Sequence, residues 1–182
     1  MKRGYIIKKL IFICALVLSA ALYAEEKVVF HNFPWGTSMN DFTAKMGKPV
    51  HQDEYNGLSS LVYENIMVSG YTTYMLVYFS KNGLEGGTYY FLTYSQGELI
   101  KCYTEVQKEL LEKYGPTNLQ KNLLGHYDPA EILDPITKEL RLYEATWNLT
   151  DGYVYLKVNT RQNEPITLWY SSPALTKMLT GS

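Results

Sequence analysis

Apolar and polar positions along this chain repeat with two different periods. Met39, Phe42 and Met46 fall at helical spacing after Ser38, which can cap a helix, and Gly47 and Pro49 stop the run. A longer stripe follows. Leu99, Cys102, Tyr103, Val106, Leu110 and Tyr114 share one side, with Lys101, Glu105, Lys108, Glu109 and Glu112 on the other. Ser95 and Glu98 before it make an S-x-x-E capping box, and Gly115-Pro116 ends it. Elsewhere the period falls to two. Leu61 to Val68, Tyr71 to Ser80 and Leu84 to Tyr94 read as strands after the first helix. Tyr143 to Leu149, Tyr153 to Asn159 and Ile166 to Ser171 read as strands after the second. Asn82-Gly83 and Asp151-Gly152 suit tight hairpin turns, and a further turn holds Asn163 and Pro165. Ser172-Pro173 reads as the cap and first residue of a short terminal helix.

The order helix, three strands, helix, three strands predicts an α+β fold. It is expected to be one domain of two tandem helix-then-three-antiparallel-strand units, about 28–94 and 95–182. The helices are expected on one face of a sheet of about six strands. Thr117 to Leu142 breaks the pattern with little periodicity and with Gly125, Pro129 and Pro135. Loops of that length are commonly functional or disordered.

Composition changes this picture in two places. Lys2, Arg3, Lys8 and Lys9 precede an apolar run from Leu10 to Leu22, and small residues follow at Ser19 to Ala21 and at Ala24. This is the layout of a secretory signal peptide over 1–24, too short in its apolar part to span a bilayer. The expected location is therefore exported, periplasmic or extracellular, with no integral membrane span after cleavage. Cleavage would remove four cations and Cys14, leaving Cys102 with no internal disulfide partner. The net charge of −1 and a charged fraction of 19% argue against a nucleic-acid partner.

The second change is the tyrosine count, 17 in 182 residues. Strand alternation puts Tyr143, Ala145, Trp147 and Leu149 on the core side with Val154, Leu156, Val158, Ile166, Leu168 and Tyr170. Met75, Val77 and Phe79 take that side in the first unit. The opposite side then carries Tyr74, Tyr78, Tyr90, Tyr153, Tyr155 and Trp169, with Lys157, Thr167 and Tyr94 in the same register. Tyr and Trp offer large contact area, few rotamers to freeze and a polar tip, and they concentrate at binding hot spots. They also have high strand propensity and stabilise cross-strand pairs, so structural pairing is the competing reading.

Residue types with catalytic potential gather at His126-Tyr127-Asp128, with Glu131 and Asp134 nearby. Their spacing matches no metal-ligand pattern, and Asp128-Pro129 and Asp134-Pro135 start turns. A structural loop is the simpler reading. His31 and His51 read as surface or packing residues, Trp35 as a packing residue beside the first helix, and Cys102 as a buried thiol. No nucleophile elbow, phosphate loop or paired Cys-x-x-Cys occurs in the sequence. No cofactor and no metal are expected.

Gly36-Thr37-Ser38-Met39-Asn40-Asp41-Phe42 and Met46-Gly47-Lys48-Pro49 resemble the helix-opening segment of small bacterial envelope proteins with a helix-plus-antiparallel-sheet module. That group includes the small lipoprotein of the outer-membrane barrel-assembly machine. The tandem layout is similar to β-lactamase inhibitory protein. The resemblance implies a protein-binding module, by analogy of fold. No lipid-attachment Cys, no Cys pair in each unit and no second Gly-Thr-Ser opening accompany it, so no functional residue carries over by position. The expected function is an exported non-enzymatic protein-binding module whose partner is another envelope or secreted protein. The alternatives are a small-ligand carrier and a hydrolase or metal enzyme built on the His126 loop.

Overall fold

The computed structural model describes residues 27–55, 57–93, 95–122, 142–159 and 164–181. The segment 1–24 expected as a signal peptide, Tyr94, Asn163 and the His126 to Asp134 cluster lie outside the described residues. In chain order the elements are α1 (Met39–Met46), β1 (His51–Tyr55), β2 (Leu58–Val68), β3 (Tyr71–Ser80) and β4 (Gly83–Phe91), then α2 (Gln96–Tyr114), β5 (Leu119–Asn122), β6 (Leu142–Leu149), β7 (Gly152–Asn159), β8 (Glu164–Ser171) and α3 (Pro173–Thr180). The protein is α+β with one antiparallel sheet. Its strand order is β1-β2-β3-β4-β8-β7-β6-β5.

The expected sheet of about six strands has eight among the described residues. The additions are its two edges. β1 is polar and exposed along its whole length, so it carries no alternation to read. Its ladder partner is β2, from His51↔Val62 to Tyr55↔Leu58. β5 is four residues inside the stretch of low periodicity and pairs β6 from Leu119↔Thr146 to Asn122↔Tyr143.

The helix ends form as their sequences dictate. Ser38 Oγ accepts the Asp41 N–H at 3.1 Å, and Gly47 closes α1 at φ 83°. Ser95 Oγ accepts the Glu98 N–H at 3.2 Å, and Gly115 closes α2 at φ 75°. The turn after β3 differs from expectation. Its two loop residues are Lys81 and Asn82, because Ser80 pairs with Gly83. Gly83 is needed for another reason. At φ 100° a Cβ there would lie 2.3 Å from the Gly36 carbonyl oxygen, so the backbone of 36–37 could not lie against β4.

One face of the sheet holds the core. Tyr63, Met75, Val77, Tyr89, Leu168, Leu156, Ala145, Trp147 and Val154 are all buried there, and they share that face by ladder register. α1 covers the β2–β3 side through Phe42, whose ring is 4.4 Å from Phe33 and 5.4 Å from Phe79. α2 covers the β6–β8 side through Cys102, Tyr103, Val106 and Leu110. The segment before α1 completes the cover. Phe30 stacks on Tyr89 at 4.9 Å, and Asp151 accepts the Val28 N–H through its carboxylate and the Trp35 Nε1–H through its carbonyl. Trp35 is thus a packing residue that ties this segment to the β6–β7 turn.

α3 corrects the expectation that all helices share one face. It packs on the other. Gly86 follows the register of Tyr78 and Ser171, and a Cβ at Gly86 would lie 2.5 Å from Leu175 Cδ2. The missing side chain leaves a notch that Leu175 fills. A buried carboxylate secures the helix start. Glu85 is 7% exposed and accepts hydrogen bonds from Ser80 Oγ at 2.8 Å and from Ser172 Oγ. Ser172 Oγ also accepts the Leu175 N–H at 3.1 Å, capping α3.

Candidate binding face of the sheet

The face opposite the core is assembled row by row from the ladders. One row runs Tyr78, Gly86, Ser171, Tyr153 and Asn148. The next runs Leu76, Thr88, Trp169, Tyr155 and Thr146. The third runs Tyr74, Tyr90, Thr167, Lys157 and Glu144. The six aromatic residues expected on this face, Tyr74, Tyr78, Tyr90, Tyr153, Tyr155 and Trp169, therefore lie together on β3, β4, β8 and β7. Four adjacent strands at about 4.8 Å spacing make a patch some 15 Å wide.

The aromatic side chains pack on one another. Tyr78 and Trp169 stack with ring centroids 5.8 Å apart at 28°, and Tyr153 stacks on Tyr155 at 6.3 Å and 19°. The Tyr155 hydroxyl donates to Glu144 Oε1 at 2.6 Å. Stacked neighbours lose few rotamers on binding, so the patch is preorganised. Tyr74 is exposed at 40%, whereas Tyr78, Tyr90, Tyr153, Tyr155 and Trp169 are half-buried.

Burial raises the pKa of the Tyr78 phenol, with Tyr90 adding to it. Burial also raises that of Tyr153, with the Glu144 charge adding to it. Both therefore stay neutral at physiological pH and offer hydroxyls that donate and accept. Thr88, Thr146 and Ser171 beneath them are buried, so the face has a small-residue floor and an aromatic surface. α3 bounds one end, where Leu175 fills the Gly86 notch and Met178 and Leu179 stay exposed at 55% and 58%.

The other singled-out groups lie elsewhere. His51 is on the exposed edge β1. His31 is on the core side, with Nδ1 2.9 Å from the Tyr89 hydroxyl. Among the described residues no three His, Cys, Asp or Glu side chains group as metal ligands. Cys102 is wholly buried, and burial, with Glu105 and Glu98 adding, pushes its thiol up to about 12. In protein lacking residues 1–24, a disulfide reagent at pH 8 is expected to label Cys102 only as fast as the fold opens. Labelling at the rate of a free thiol would show that α2 leaves the core readily.

Sequence alternation located the aromatic face but gave no sign of α3 beside it, because a Leu in a short terminal helix does not announce which side of a sheet it meets. Gly86 is the signal. A glycine inside a strand marks a close approach.

No helix among the described residues is long and apolar enough to cross a membrane. No family model matches the chain, and no curated protein matches it. Among solved structures it is similar to a cysteine-rich secretory protein from Staphylococcus aureus subsp. aureus Mu50. The TM-score is 0.41 and the identity 8%, over 76% of this chain and 44% of that one. It is also similar to an extracellular protein containing an SCP domain from Bacillus anthracis str. Ames. There the TM-score is 0.40 and the identity 12%, over 81% of this chain and 50% of that one. The chain thus spans about half the length of these two proteins, at a level of likeness that does not extend to what they do.

Proposed function

We propose that this protein is an exported, non-enzymatic binding module that engages another envelope or secreted protein through the Tyr/Trp face. The observation that carries the reading is the gathering of Tyr74, Tyr78, Tyr90, Tyr153, Tyr155 and Trp169 on one sheet face opposite the core. Aromatic cross-strand pairs also stabilise a sheet, but six large preorganised aromatics gathered on one face suit recognition as well. The basic-then-apolar start of the chain supports export. The strand order supports reading the chain as two units. Each is a helix followed by four strands, and the two meet where β4 pairs with β8. The expected units had three strands after each helix, and their tandem layout was the point of similarity to β-lactamase inhibitory protein.

The test is affinity capture from envelope and secreted fractions with the tagged protein, beside a Tyr155→Ala/Trp169→Ala variant whose circular dichroism matches the parent. Hot-spot aromatics are each worth about 2 kcal/mol, so a partner held by the parent should be weakened roughly a hundredfold or more by the double change. A partner retained equally by both proteins would remove this face from its recognition. Turnover of a bound molecule, in place of saturable binding, would favour an enzyme.

A further inference from the structure

The helix α3 lies across one end of the aromatic face, and its seat there is shallow. One row of that face runs Tyr78, Gly86, Ser171 and Tyr153 across β3, β4, β8 and β7. Two tyrosines flank two small residues, so the row dips to a trough at Gly86 and Ser171. Leu175 fills that trough, where a Cβ on Gly86 would lie 2.5 Å from its Cδ2. Ser171 is buried beneath the helix.

The ties that hold α3 gather at its start. The Ser172 N–H donates to the Glu85 carbonyl at 2.7 Å, and Ser172 Oγ donates to the Glu85 carboxylate. Ser171 Oγ and Thr176 Oγ1 share a hydrogen bond at 2.7 Å. From Lys177 to Thr180 every residue is exposed. Met178 and Leu179 follow Leu175 at i+3 and i+4, on the same side of the helix, yet they are 55% and 58% exposed. Toward the β6–β7 turn, a recess of about 270 Å³ separates Thr176 and Thr180 from Leu149, Gly152 and Tyr153.

A helix this short is marginal in water, and what keeps it folded is the face it buries. Here that face is one side chain, Leu175. By contrast β4 and β8 pair with each other from Gly86↔Ser171 to Phe91↔Ile166 and carry core residues on their other face. Segments with few buried apolar contacts open locally, without the rest of the fold. α3 is such a segment, and β4 and β8 are not. When α3 opens, the Glu85 carboxylate keeps the hydrogen bond from Ser80 Oγ and gains water in place of Ser172, so no buried charge is stranded.

We propose that α3 is a displaceable strap that covers the trough between Tyr78 and Tyr153. Docked, it fills the trough with Leu175; released, it adds the trough to the aromatic face. Its part in recognition rests on reading that face as the binding surface, since a partner and the strap then compete for one place.

Native-state hydrogen exchange on the full chain reads the strap without a partner. The amides of α3, Thr176 and Gly181 among them, are expected to show protection factors at least about a hundredfold below those of β4 and β8, with no dependence on urea. Leu175→Asp puts a charge in the trough and should release α3 while β4 and β8 keep their protection. The apolar dye 8-anilinonaphthalene-1-sulfonate should then shift the Tyr78, Gly86, Ser171 and Tyr153 amide signals saturably, and bind the parent at least about tenfold more weakly. Protection of α3 equal to that of β8 overturns the proposal, as does dye binding equally to both proteins. A Leu175→Asp chain that loses protection throughout overturns it too, because α3 would then belong to the folding core. The protein-binding reading is judged separately, by capture with Tyr155→Ala/Trp169→Ala. Its failure would leave the exchange and dye results standing, and failure of the strap would leave that capture unchanged. A partner found by that capture should be held more tightly by Leu175→Asp than by the parent; equal retention would overturn the competition.

Discussion

Replacing Trp147 by alanine is expected to cost about 3–5 kcal/mol of folding stability. Trp147 is wholly buried in β6, facing α2. It does two things there. Its indole fills the core between sheet and helix, and its Nε1–H donates to the Gly115 carbonyl at 2.9 Å. Gly115 is the C-cap of α2, where carbonyls lack helical partners, so the indole satisfies a group the helix cannot. Alanine removes the packing and leaves that carbonyl unpaired. Trp147→Phe separates the two effects. It keeps most of the apolar volume and loses only the hydrogen bond, for an expected cost of about 1–3 kcal/mol. Urea unfolding followed by far-ultraviolet circular dichroism measures both, with the midpoint falling and the slope unchanged. Equal losses for Phe and Ala would mean that the hydrogen bond, and not the packing, sets the stability of this corner.

The elements legible in the sequence are those with a local physical cause. Ser38, Ser95 and Ser172 cap helices because each hydroxyl reaches an N–H three residues on, a relation contained in a few neighbouring positions. Alternation separated Trp147 and Val154 from Tyr153 and Tyr155 because β6 and β7 each keep one buried face. The same rule placed the six aromatic residues of the candidate face on one side. Where the cause is non-local, the sequence was silent. β1 has no buried face, so its five polar residues look like loop; only pairing with β2 makes them strand. α3 reads as a helix, but its seat on Gly86 depends on a residue 89 positions earlier than Leu175. The contact between His31 and Tyr89 joins residues 58 positions apart, and no spacing links them. One local trace existed. Phe-His-Asn-Phe at 30–33 is an apolar pair around residues that tolerate or resist positive φ, and Asn32 favours such a turn. His31 packs against Tyr89, with Nδ1 2.9 Å from its hydroxyl, as a packing residue would.

Adding a single methyl group at Gly87 is expected to unseat that turn from the core. A Cβ there would lie 2.1 Å from Phe30 Cζ, well inside any contact distance. Phe30 has little room to yield, since it is wholly buried, stacked on Tyr89 at 4.9 Å and tilted against Tyr170 at 5.7 Å. Overpacking of this kind costs about 1–3 kcal/mol and more where the neighbour is confined. Phe30→Ala, which opens a cavity instead, is expected to cost about 3–5 kcal/mol. The two changes act on one space, so Gly87→Ala/Phe30→Ala should be less destabilised than the two losses added together, by about 0.5–3 kcal/mol. The same pair reports on His31. Its pKa is lowered by burial, and it sits within the turn that Phe30 anchors. If Gly87→Ala displaces that turn, the imidazole gains water and its pKa should rise toward 6.5, which NMR titration of the ring reads directly. The linkage then has a definite sign. In the parent the unfolded state binds a proton more readily than the native state, so stability falls as pH drops below 6.5; in the variant this fall should shrink. Strict additivity with an unmoved His31 titration would show that the core around Phe30 absorbs the added methyl without disturbing the turn at 30–33.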